Sequence, residues 1–314
     1  MNSRSISDDR RARDRWSLAA PAMHVLLFAA LLAWSWRKWP DPLVDFGREL
    51  YVPWQLTHGL VLYRDLASLF GPVSPYVNAL WFRLFGASLM TLVFCNLVIL
   101  SAMVAGIHYL VRVSTDRVTA SAASLTTLLL FGFSQYVDVG NYNFVTPYSH
   151  EATHGLALSV ASLVLLYHAL ANRSRRACAA AGLCFGLVLL TKPEIAAAAV
   201  AGVLAGWSAA YALGSRDRRD LAATVPLFIA AAAVPSLLFF LYFMTQMETA
   251  AALRATLGAW VPLFGTRIAT NEFYRRIMGF EAPATSAALM LLTFAGFTAL
   301  AGAAVAVSVA STNV

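Results

Sequence analysis

The chain has 314 residues, 59% of them hydrophobic and only 12% charged, with a formal net charge of +7 and a mean hydropathy of +0.65. Soluble domains run nearer ~25% charged, so this composition excludes a soluble fold. A pI near 9.6 would suggest a nucleic-acid partner in a soluble protein. Here the arginines form short clusters beside apolar stretches, which reads as anchoring at anionic headgroups and gives no nucleic-acid binding.

In chain order, a charged and polar tail (1–17) precedes about eight apolar stretches, at roughly 18–36, 88–111, 118–134, 151–170, 177–191, 195–213, 221–243 and 285–310. Most are long enough to cross a hydrocarbon core of ~30 Å as helices. The fold class is therefore all-α: a polytopic membrane bundle of about eight transmembrane helices, a single transmembrane domain over 18–314. The tail lacks the features of a cleavable signal and reads as cytoplasmic. With the N-terminus inside, the inner segments (1–17, 112–117, 171–177, 214–220) hold 13 Lys+Arg against 6 Asp+Glu, and the rest of the chain holds 10 of each. The whole net charge then lies on one side, as the positive-inside rule demands, which predicts a multi-pass protein of the cell inner membrane. Cys95, Cys178 and Cys184 fall within predicted helices as small apolar residues. Gly182, Gly186, Gly202 and Gly206 suit close helix packing in lipid.

The inner connections are short, whereas the outer loops 37–87, 135–150 and 244–284 are long, so function is expected on the outer face. Within the first, the stretch from Asp45 through Arg48, Glu49 and Tyr51 to Trp54 mixes charges with aromatics, as in a helix lying in the membrane interface. Pro53 is expected to bend or end that helix. A Gly/Pro-punctuated segment follows, Phe70-Gly71-Pro72-Val73-Ser74-Pro75-Tyr76, and then a second interfacial helix at about 77–86.

Asp45 sits just beyond the first span. A carboxylate there can take a proton from an acceptor or hold a metal ion while a lipid substrate arrives from the bilayer; the alternative is a solvated carboxylate paired with Arg48. Tyr148-Ser149-His150-Glu151-Ala152-Thr153-His154 contains the string H-E-x-x-H. On a helix, His150 and His154 lie one turn apart and suit a divalent metal, with Glu151 as a general base. Three readings stay open for this cluster: a helix-entry network, a metal site serving group transfer, or an intramembrane zinc metalloprotease. The last needs a third ligand, for which Glu194 is the one well-placed downstream carboxylate. Lys192 and Glu194, in a tight turn between two apolar segments, either pair with each other at the interface or face a polar cavity where Lys192 meets a lipid phosphate.

Asp-x-x-Arg at the start of the first outer loop, followed by Gly59-x-x-x-Tyr63-Arg64-Asp65 and the Gly71-Pro72-x-x-Pro75-Tyr76 segment, resembles the GT-C superfamily. It looks most like the bacterial relatives of protein O-mannosyltransferases and of the aminoarabinose transferases. The resemblance covers roughly residues 15–245 in layout and about 41–80 in motif. It implies a glycosyltransferase that moves a sugar from a polyprenyl-phosphate donor to a lipid, glycan or protein acceptor on the outer face. By the same resemblance Asp45 is the catalytic carboxylate, with Arg48 and Glu49 organising it or the donor. Where the aminoarabinose transferases carry a Lys before their Pro-Pro segment, this chain has Phe70-Gly71, which shifts donor-phosphate binding to Arg64 or Lys192. The chain is also shorter than many members of that superfamily. A divalent metal on His150, Glu151 and His154 is compatible with either reading. The rival function is the zinc metalloprotease; a transporter would instead show broken spans and midplane charges.

Overall fold

The structure, a computed structural model, describes residues 21–38, 46–134, 143–214, 218–264, 271–277 and 280–312. Among these the fold is all-α, with an isolated bridge between Leu62 and Leu66. Helix α1 (Pro21–Ser35) is followed by two short helices, α2 (Gly47–Thr57) and α3 (Val73–Phe85), and then by α4 (Leu89–Ser114). Next come α5 (Arg117–Thr127), extended by a wide π turn at Leu128–Gly132, then α6 (His150–Asn172), α7 (Arg175–Leu189), α8 (Pro193–Ala212) and α9 (Arg218–Met244). Helix α10 (Thr249–Leu257), a 3-10 segment (Gly258–Phe264), α11 (Glu272–Ile277) and α12 (Pro283–Thr312) complete the chain. Four of the described helices, α4, α6, α8 and α9 from Asp220, are long and apolar enough to cross a membrane; the described parts of α1 and α12 include shorter apolar helices.

The predicted spans fall on these helices, several of which begin at a local start signal. Asp116 turns α4 into α5: its side chain accepts the amides of Val118 and Thr119 at 2.7 and 3.1 Å, satisfying donors that a helix start leaves free. Ser174 caps α7 by accepting from Ala177 N, and Pro193 opens α8 at a position where a missing N–H costs nothing. Pro53 does not end its helix. It lies inside α2, which runs on to Thr57; the lost hydrogen bond is offset by burial of Val52, Pro53 and Leu56 where α2 packs on α3.

The chain divides into two compact units, Met1–Trp260 and Val261–Val314. In the first, one core lies between α4 and α6 around Leu100, Met103, Val104 and Val160. A second joins α6, α7, α8 and α9 around Leu166, Ala181, Val203 and Phe228. Helices α7 and α9 touch backbone to side-chain position: a Cβ at Gly182 would lie 2.4 Å from Phe228 O, and one at Gly186 2.2 Å from Ala232 O. Gly202 meets Leu163 and Gly206 meets Leu166 at 3.3–3.4 Å. Small residues let these helices approach where lipid supplies no hydrophobic drive. The second unit holds α11 and α12, with Arg276 Nε 3.7 Å from Glu281 Oε2 between them.

Candidate functional site

Two backbone contacts assemble the site. Gly71 N donates to Thr191 O at 2.9 Å and Val73 N to Leu190 O at 3.3 Å, so the first long loop is laid across the α7–α8 corner. Only glycine permits this, since a Cβ at Gly71 would stand 1.9 Å from Leu190 O. Trp260 Nε1 donates to Leu189 O at 2.8 Å on the same corner. The result brings α2, the start of α6 and the start of α8 to one end of the bundle.

Glu49, in the first turn of α2, is the hub. Its side chain is 5% exposed. One carboxylate oxygen accepts from Arg48 Nε at 3.1 Å and from Arg48 Nη2. The other accepts from His150 Nδ1 at 2.7 Å and from the His150 backbone N–H at 3.2 Å. A carboxylate on another segment thus caps α6, whose own N-cap Ser149 turns its hydroxyl to Glu151 at 2.7 Å instead. Negative charge at a helix N-terminus is favourable. Behind His150, Asn96 Nδ2 gives one hydrogen to Val145 O at 3.0 Å and the other to His150 Nε2 at 2.9 Å, which leaves Nδ1 as the donating nitrogen. Burial pushes the Glu49 carboxyl up, but the hydrogen bonds and attraction of His150 and Arg48 outweigh it and hold the group below its ordinary range.

Beside this hub two cations share one aromatic platform. Arg48 Cζ lies 4.7 Å and Lys192 Nζ 4.5 Å from the centre of the Phe70 ring. Lys192, 5% exposed, donates to Tyr148 Oη at 3.0 Å, and Arg48 donates to Tyr148 O at 3.3 Å. Glu151, also buried, lies 4.0 Å from Arg48 Nη2. Two positive groups and two carboxylates therefore converge at a largely buried position, where electrostatic interactions are stronger than in water.

The expected residues sort unevenly. Arg48, Glu49, His150, Glu151 and Lys192 converge. Asp45 lies outside the described residues; its neighbour Phe46 is fully buried and packs against the His150 ring at 5.9 Å. Arg64 is elsewhere: it holds Asp65 through Nε and Nη2, at 3.0 and 2.8 Å, and donates to Gln246 O at 3.2 Å. That pairing, with the Val61 amide, keeps the Asp65 carboxyl below its usual range. Arg64 staples the loop to the end of α9, and the second cation at the Phe70 ring is Lys192, from the α7–α8 corner. Glu194 is 66% exposed and stands 3.7 Å from Lys192 Nζ.

The H-E-x-x-H string finds no support as a zinc-protease centre. The His150 and His154 rings are 5.6 Å apart, but both nitrogens of His150 are spent on Glu49 and Asn96. Among the described residues no group of three His, Cys, Asp or Glu side chains is arranged to hold a metal. His154 is buried with neither ring nitrogen hydrogen-bonded. It lines a cavity of about 470 Å³, otherwise walled by apolar side chains such as Val77, Ile99, Met103, Ala157 and Val160 from α3, α4 and α6. Sequence reasoning missed three participants: Asn96, Phe70 and Tyr148. A lone Asn in an apolar span, costly in lipid without a partner, was a usable signal for the first.

The described residues thus form an all-α helical membrane bundle with a charged, aromatic-floored site at one end, beside an apolar cavity. The chain matches the dolichyl-phosphate-mannose-protein mannosyltransferase family over residues 70–243, more than half its length. It belongs to that family, within the GT-C type, and is a membrane glycosyltransferase. The matched stretch includes Phe70, Asn96, Tyr148, His150, Glu151, His154 and Lys192 and starts after α2. No curated protein and no solved structure matches the chain.

Proposed function

We propose that this enzyme moves a sugar from a polyprenyl-phosphate carrier to a lipid, glycan or protein acceptor on the outer face of the inner membrane. The observation that carries the proposal is the pair of cations, Arg48 and Lys192, over one Phe70 ring. They match a phosphate in charge, and the apolar cavity ending at His154 matches the carrier's chain. Lys192 brings from the α7–α8 corner the positive charge that Phe70-Gly71 lack.

In the proposed reaction Asp45, three residues before Arg48, takes the proton of the acceptor hydroxyl. The acceptor oxygen bonds to the anomeric carbon, the bond from that carbon to the phosphate oxygen breaks, and the electron pair leaves on the phosphate. Arg48 and Lys192 neutralise that leaving charge, the kind of preorganised stabilisation that supplies much of enzymatic rate enhancement. Glu49, fixed by His150 and Asn96, holds Arg48 in place. Arg64 and Glu194 act at the rim, in loop anchoring and in pairing with Lys192.

The test is transfer from a polyprenyl-phosphate sugar in proteoliposomes by Asp45→Asn, which keeps shape and removes basicity. A loss of roughly 10²-fold or more is expected for a missing general base, with the melting profile unchanged. Wild-type turnover in that variant would overturn the assignment.

A further inference from the structure

A second cavity in the first unit lies far from the candidate site. About 820 Å³ in volume, it runs between α1, α4 and α5. Asn96 and Arg112 both belong to α4 and are sixteen residues apart, so the cavity's charged end is ~24 Å from the site along the helix axis. That is most of a hydrocarbon core, which puts the two on opposite leaflets.

The cavity is graded in polarity along its length. At one end, Arg112 in the last turn of α4 and Arg117 at the start of α5 both line it, exposed and on either side of the short Thr115–Asp116 turn. One to two turns deeper is a polar shelf. His24 Nε2 lies 2.6 Å and His108 Nδ1 3.2 Å from Ser124 Oγ, the two rings edge to face at 5.5 Å. Beyond the shelf the walls are apolar, with Phe28, Leu32, Val104 and Leu128. Charged mouth, hydrogen-bonding middle and apolar floor follow the order of phosphate, glycerol ester and acyl chain in a phospholipid.

We propose that this cavity is a binding site for an anionic glycerophospholipid of the leaflet opposite the transfer site, its phosphate held by Arg112 and Arg117 and its acyl chain lying along α1 and α4. Basic pockets between transmembrane helices on the cytoplasmic side are suited to such headgroups. By the charge distribution of the sequence, this is the cytoplasmic end, since 112–117 belongs to the inner set that carries the net positive charge. The site is independent of the donor site and does not depend on the reaction proposed above.

Native mass spectrometry of the full chain in mild detergent, titrated with phosphatidylglycerol or phosphatidylcholine, tests it. Wild type should retain one phosphatidylglycerol in preference to phosphatidylcholine. Arg112→Gln/Arg117→Gln should weaken phosphatidylglycerol on the order of ten- to thirty-fold, from about one basic contact's worth per arginine, and remove the preference. Arg175→Gln/Arg176→Gln, an equal charge loss at the α6–α7 turn, should not. Ala105→Trp, which fills the cavity without touching charge, should weaken both lipids. Equal binding of the two lipids by wild type, equal loss in the two double variants, or displacement of phosphatidylglycerol by an equimolar polyprenyl phosphate would each overturn the proposal.

Discussion

The first long loop contains two adjacent arginine–carboxylate pairs, and they differ in everything but composition. Arg48 and Glu49 pair at the mouth of the bundle, and so do Arg64 and Asp65 sixteen residues later. The Glu49 side chain is 5% exposed and carries a buried histidine behind it; Asp65 is 31% exposed and answers to a backbone amide. Depth separates a site from a staple. At the surface an ion pair is screened and contributes little. Under cover, the Glu49 carboxylate cannot return to water when a partner is lost. The deep pair has therefore acquired further partners, Asn96 through His150 and Glu151 through Arg48, while the shallow pair fastens a loop.

The strongest way to break this contrast is to delete each carboxylate. Glu49→Ala leaves Arg48 and His150 without their acceptor and uncaps α6. A loss of about 1–3 kcal/mol is expected for each buried His150 donor left without an acceptor, seen as a lower melting temperature in detergent and loss of transfer. Asp65→Asn should leave both unchanged within error. Equal effects from the two variants would show that burial does not distinguish them.

A smaller effect is expected where the two regions are joined. Gly71→Ala forces a methyl into Leu190 O, so the loop must lift from the α7–α8 corner. Overpacking of this kind costs about 1–3 kcal/mol. Lifting the loop carries Phe70 away from Lys192, so the donor concentration needed for half-maximal transfer should rise while Arg64 and Asp65 stay paired. An unchanged donor requirement with full stability would mean that the corner does not position the cations.

How far the sequence foretold this depends on the type of signal. Helix ends were legible because capping residues such as Asp116, Ser174 and Pro193 act within one turn. The convergence of Arg48, Glu49, His150 and Lys192 was legible only as residues worth watching, since contacts a hundred positions apart leave no local trace. Arg64 and Lys192 stood as equals in the sequence. The difference between them lies in Gly71, whose lack of a side chain docks one loop onto one corner. The H-E-x-x-H string was the sharpest local motif, but spacing says nothing about what else binds its rings, and His150 is held by Glu49 and Asn96. Asn96 lay in plain view in an apolar span, but its partner could be named only from the fold.

The finest test of the contrast is acid. Glu49 is held below its ordinary value of 4.5, so its folded form binds protons less readily than its unfolded form. Its contribution is therefore complete above that value and is lost as pH falls through the depressed folded value. Asp65 is also depressed, with the same sign, but its exposed position lets salt screen it. Melting profiles taken from neutral pH to about pH 3, at ~0.05 M and ~1 M salt, separate the two. The acid limb should persist at high salt in wild type and in Asp65→Asn, and should flatten in Glu49→Gln. At low salt the Asp65→Asn variant should differ slightly from wild type near neutral pH and converge with it as pH falls through the depressed value, and at high salt the two should coincide. If high salt erased the whole limb, Glu49 would be titrating as a surface carboxylate, and the two pairs would differ in position alone.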